Sequence, residues 1–228
     1  MNRSVAARYV LGMTERKLWM HEARRCGLAA LALPLAAAIG VLAVSVAVGG
    51  GDHADARSTG IGMVRLLANV FPVAAGLAAA TAAARDRLIE VLLALPTQYP
   101  TVVRRRITMV TALVIASATV VIVWLALAGQ WANPAWGPVA LLVPMGPAFF
   151  LIGAALFAQA VLRSTSAAST VVIAAWLFQV MLFDTYVTAW LANKLLLTAL
   201  GAVLAYLGTR RLSDSERQLA RIAPGAAQ

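Results

Sequence analysis

Apolar residues in this chain do not recur with the three-to-four-residue beat of a helix resting on a soluble core. They run on for twenty positions or more with few charges between them. Such runs occupy 27–48, 61–84, 107–128 and 137–162. A last block, 164–209, is too long for one crossing and is interrupted around Asp184, which divides it into 164–183 and 190–209. A hydrocarbon layer of about 30 Å is crossed by about 20 helical residues rising 1.5 Å each. The pattern therefore predicts an all-α integral membrane protein with six transmembrane helices. The first run has a basic flank like a secretory leader, but it is longer than the apolar part of one and is read as the first span.

Composition sharpens the class. Of 228 residues, 61% are apolar and 12% charged, with a mean hydropathy of +0.82. A soluble domain carries about a quarter charged residues, so these charges are too few to cover a water-facing surface. The lone Cys26 excludes an intrachain disulfide and any cysteine cluster for a metal.

The 19 basic and 9 acidic residues would suit a nucleic-acid binder, but their placement points to a membrane instead. All the basic residues except Arg57, Arg65 and Lys194 fall in 1–26, in the second-to-third connection, at Arg163 or after Thr209. Excess Lys and Arg marks the cytoplasmic face, so both termini are expected inside; the expected location is the plasma membrane of a prokaryote. Trp124, Trp131, Trp136, Tyr186 and Trp190 then fall at the outer ends, where an aromatic belt is expected.

Three regions follow: a cytoplasmic segment 1–26, a six-helix domain 27–209 and a cytoplasmic tail 210–228. In the first, Val5, Ala6, Tyr9, Val10 and Met13 share a helical face among interspersed charges, which predicts an amphipathic helix lying in the interface. The loop with Asp52, His53 and Asp55 reads as a hydrated glycine-rich turn rather than a cation site.

The connection 85–106 is the most informative stretch. Asp86 and Glu90 lie one helical turn apart, while Leu88, Val91, Leu92 and Leu95 form an apolar stripe. Pro96 stops that helix, Pro100 can begin another, and Arg104, Arg105 and Arg106 mark the return to the membrane. A protruding helix of this kind suits the docking of a cytoplasmic partner, or else is a solvated loop kept out of lipid by its charges.

The spacing acidic-Arg-x-x-Glu-x-Leu-Leu-x-x-Pro, made by Asp86, Arg87, Glu90, Leu92, Leu93 and Pro96, resembles the permease subunits of type-2 ATP-binding-cassette exporters. Where that family usually has Gly-Thr before the Glu, this chain has Arg87-Leu88, and its outer connection before the last helix is brief. The resemblance implies six helices with both termini inside, an amphipathic N-terminal elbow, and a first cytoplasmic loop that couples to a nucleotide-binding subunit. It thus implies partner-coupling roles for these residues together with the flanking Arg85 and Arg104. The partners implied are a cytoplasmic ATPase, which would bind ATP and Mg, and a second identical or homologous permease.

The residues themselves constrain where energy enters. A phosphate-cradling loop needs glycine before its lysine, and neither Lys17 nor Lys194 has one. No ionisable side chain falls at the middle of a predicted span, as ion coupling would require. His21 and His53 lie outside the spans and no intramembrane carboxylate pair exists, which argues against catalysis. The chain is thus expected to bind no cofactor itself.

Within the spans the polar residues Asn69, Gln159 and Gln179 either join helices or line a path. The resemblance, in which the first, second and fifth helices line the path, favours Asn69, its neighbour Phe71, and Gln179. The expected function is export of a hydrophobic or amphipathic substrate, such as a drug, antibiotic, lipid or peptide. The alternative is a non-transporting scaffold that recruits a partner through 85–106.

Overall fold

In lipid a backbone N–H or C=O has no water to bond, so an apolar run of spanning length becomes a helix that satisfies its own amides. The computed structural model describes residues 27–48, 56–84, 99–131 and 139–222, and every regular element in them is helical. The interfacial helix read in 1–26, the Asp52–His53–Asp55 loop, the connection from Arg85 to Gln98, Trp136 and the end of the tail lie outside these residues.

Six helices follow in chain order: α1 (Leu28–Val48), α2 (Ala56–Ala82), α3 (Tyr99–Leu127), α4 (Leu142–Leu162), α5 (Thr165–Phe178) and α6 (Trp190–Ile222). A π turn, Gln179–Phe183, and one further α turn, Asp184–Tyr186, extend α5. Each of the six contains or forms a stretch long and apolar enough to cross a membrane, which makes the chain a multi-pass membrane protein.

The boundaries have local causes. Pro100, in the first turn of α3, lacks an N–H that would be unbonded there anyway. At the other end Gly129 takes φ +68°, the Gln130 N–H bonds to the Leu125 carbonyl at 2.9 Å and the Gly129 N–H to that of Ala126 at 3.2 Å. These are the paired bonds of a Schellman stop. Between α4 and α5 the chain turns on Arg163 (φ 54°) and on Ser164, whose hydroxyl accepts from the Ala167 N–H at 3.4 Å. α6 runs past Thr209 to Ile222, about 50 Å at 1.5 Å per residue, so the first part of segment 210–228 continues the last helix beyond the bilayer.

α4 sits at the centre. Of the apolar 18-residue stretch within Val139–Leu162, 78% is buried, against 17% of that within Thr165–Tyr186. It packs on α6 along one side and α2 along another, with α5 folded back against it. The α4–α6 seam is built on glycine. A Cβ on Gly153 would meet the Gly201 backbone, one on Gly201 the backbone of Phe149 and Phe150, and one on Gly146 would lie 2.9 Å from the Lys194 carbonyl oxygen. The numbers rise together along both chains, so α4 and α6 are parallel, with their backbones almost touching.

Contacts set the remaining directions. Ser45 meets Trp124 and Gln130, which places the ends of α1 and α3 together. Only Arg163 and Ser164 separate α4 from α5, so α5 starts where α4 ends, and Gly76 in the later half of α2 packs on Leu151 and Val172. The early part of α3 faces the late part of α6 across a groove. Hence the starts of α1, α3 and α5 and the ends of α2, α4 and α6 lie at one end of the bundle, with Arg104, Arg105, Arg106, Arg163, Arg210 and Arg211. Trp124, Trp131 and Tyr186 lie at the other.

The outward faces of α1, α3, α5 and α6 stay apolar. Ile39, Val120, Met181 and Val203 are all more than half exposed, as lipid permits and water would not.

Candidate functional site

Helical geometry sorts the three consecutive arginines of α3. At 100° per residue they point three ways: Arg104 is exposed, Arg105 half-buried and Arg106 buried. Arg104 is the one predicted coupling residue among those described. Arg85, Asp86, Arg87, Glu90, Leu92, Leu93 and Pro96 lie outside the described residues.

The predicted pathway residues do not converge on one cavity. Asn69 is half-buried, and its side-chain N–H donates to the Arg65 carbonyl one turn back at 2.8 Å, an internal bond of α2. Phe71 is fully buried in the core with Leu67 and Ala75. Pro72 follows inside the helix, where its ring removes one ladder bond.

Gln179 opens the π turn and is 1% exposed, and its Oε1 has no hydrogen-bond partner. Gln159, near the end of α4, reaches the Thr165 hydroxyl from its Nε2 at 3.5 Å and so braces the α4–α5 turn.

Two polar clusters were not singled out from sequence. At the aromatic end, Ser45 Oγ donates to Gln130 Oε1 at 2.6 Å while Gln130 Nε2 donates back to the Ser45 carbonyl at 3.1 Å. Trp124 Nε1 adds a bond to the same Oγ at 3.3 Å. The Schellman stop at Gly129 turns Gln130 onto α1, so the Gly-Gln pair closing a long apolar run was the available signal.

The second cluster ties α5 to α6. Asn193 Nδ2 donates to Asp184 Oδ1 at 3.0 Å and to the Val187 carbonyl at 3.3 Å, and Lys194 Nζ lies 3.7 Å from the same Oδ1. Asp184 and Lys194 lie ten positions apart in the sequence. Folding makes them partners across the three-residue break 187–189.

The remaining feature is a groove at the basic end, between α3 and α6, floored by Leu156 of α4. Its volume of about 420 Å³ falls within the usual range of small-ligand sites. Arg104 stands on its rim. Among the described residues no cluster of His, Cys, Asp or Glu could hold a metal ion. No family model, curated protein or solved structure matches the chain.

Proposed function

We propose that this chain is the membrane-spanning permease subunit of an ATP-binding-cassette exporter, set in a prokaryotic plasma membrane with its basic end in the cytoplasm. It works as a pair with an identical or homologous permease, and a separate cytoplasmic ATPase binds ATP and Mg. The observation that carries the reading is where α2 ends and α3 begins. Both flank the connection bearing Asp86, Arg87, Glu90 and Pro96, and both meet it at the arginine-rich end.

A push on that connection has a rigid route into the bundle. α2 packs closely on α4, where Gly76 sits against Leu151, and α4 is locked to α6 by backbone contact at Gly153 and Gly201. Closely packed helices move as units rather than deforming. The membrane-facing surfaces are apolar, which suits a hydrophobic or amphipathic cargo.

The test is affinity purification of the full chain from its own membrane, followed by hydrolysis assays in proteoliposomes. A Walker-bearing ATPase should co-purify. Amphipathic dyes should raise its turnover, and Glu90→Ala should lower that stimulation at least tenfold while the complex stays assembled. Absence of any ATPase sinks the proposal. A bound ATPase indifferent to every substrate would instead mark the chain as a scaffold.

A further inference from the structure

The groove between α3 and α6 is amphipathic along its length. Its walls are apolar: Val103, Ile107 and Ile115 from α3, Leu156 from α4 and Ala205 from α6. The lining residues with polar groups are Arg104, Thr108, Thr111, Tyr206 and Thr209, of which Thr108 and Thr209 turn their hydroxyls to the carbonyls of Arg104 and Tyr206 on their own helices. Small side chains, Ala112 and Ala205, line it between α3 and α6 and leave the space open.

Depth and charge together select an occupant. From Arg104 to Ile115 the groove descends about 16 Å along α3, close to half of a 30 Å hydrocarbon core, which is one leaflet. Its rim stands at the end of the bundle that carries Arg105, Arg163, Arg210 and Arg211. A guanidinium offers a fork of donors matched to phosphate oxygens, and basic pockets between membrane helices hold acidic headgroups.

We infer that the α3–α6 groove binds an anionic glycerophospholipid of the leaflet at the basic end, with one acyl chain between the helices and the headgroup phosphate on Arg104. This rests on membrane insertion alone and not on the proposed ATPase partnership.

The experiment is native mass spectrometry of the delipidated full chain in neutral detergent, with phosphatidylglycerol or phosphatidylcholine of matched acyl chains added. The wild type should retain phosphatidylglycerol at least fivefold better. Arg104→Gln should bring that preference to about one. Ala112→Phe, which fills the groove from an exposed position, should cut retention of both lipids. Arg163→Gln, a charge at the same end but off the groove, should leave the preference intact.

The inference is overturned if Arg104→Gln keeps the preference, or if Arg163→Gln erases it equally, since a diffuse basic belt would then suffice. It also fails if Ala112→Cys in a Cys26→Ala background cross-links efficiently to a second copy in the bilayer. The two arginine variants change exposed side chains and decide the matter even if Ala112→Phe does not fold.

Discussion

Glycine at 153 and at 201 has a reason that its neighbours in sequence do not reveal. Each faces the backbone of the other helix with no room for a side chain, whereas Gly62 on α2 has nothing within 4 Å of the place its Cβ would occupy. The two sites should therefore respond to alanine with opposite signs. Gly153→Ala inserts a methyl into a filled seam and should destabilise the bundle by about 1–3 kcal/mol. Gly62→Ala meets open space and should stabilise it by about 0.5–1 kcal/mol through reduced backbone freedom. Unfolding of the two variants in mixed detergent micelles measures both, and equal effects would mean that the α4–α6 seam is not close-packed. Alanine-rich helices offer many small-xxx-small spacings, such as Gly76 with Ala80 and Gly201 with Ala205. Spacing alone could not say which small residues meet a backbone. In α6 the contacts recur at Lys194, Gly201 and Gly208, seven residues apart, along the α4 side of the helix.

At the scale of elements, the interruption around Asp184 was legible because a charge and a run of polar and small residues break an otherwise continuous apolar block. The π turn before it was not legible. There the Asp184 N–H reaches the carbonyl of Gln179, five residues back, so one extra residue is accommodated. That register brings Asp184 beside Asn193 and Lys194. Asp184→Ala should destabilise the α5–α6 junction by about 1–3 kcal/mol, because it strips a largely buried ammonium of its counter-charge. The lower part of that range is expected, since a third of the Asp184 side chain is exposed and the pair is loose at 3.7 Å. The double variant Asp184→Ala, Lys194→Gln, set against its two single variants, should recover more than half of the loss in a double-mutant cycle. A cycle with no coupling would show that the pair is incidental. The start of α3 at Tyr99, with Pro100 in its first turn, illustrates what local chemistry does reveal. The fate of Arg106 illustrates what it does not: the three arginines mark the return to the membrane without saying which of them faces inward, and the helical angle turns this one into the bundle.

For the whole molecule, helix directions place the basic residues and the aromatic belt at opposite ends. The proposed orientation, argued from the excess of positive charge, sets the basic end in the cytoplasm. In a Cys26→Ala background, Leu127→Cys should react with a membrane-impermeant maleimide on intact cells, while Arg163→Cys should react only after permeabilisation. Leu127 is 82% exposed and stands at the aromatic end, which makes it a clean reporter. The reverse pattern would invert the topology and remove the proposed coupling segment from reach of any cytoplasmic ATPase. Little of the candidate site could be read this way. The resemblance favours Asn69, Phe71 and Gln179 among the polar and proline-flanked positions within the spans. The fold spends the first on its own helix, buries the second and closes the third inside the π turn.

Span number and length, the sidedness of charge and the break near Asp184 belong to the sequence alone. They depend on apolar length and on hydrogen bonds closed within one segment, and both are local quantities. Which helix lies at the centre, which glycines touch, and where a leaflet-deep groove opens were settled only by tertiary structure. Lipid is as apolar as leucine, so hydrophobicity cannot tell an inward face from an outward one. The choice falls to shape and to the few polar groups that must find each other across helices.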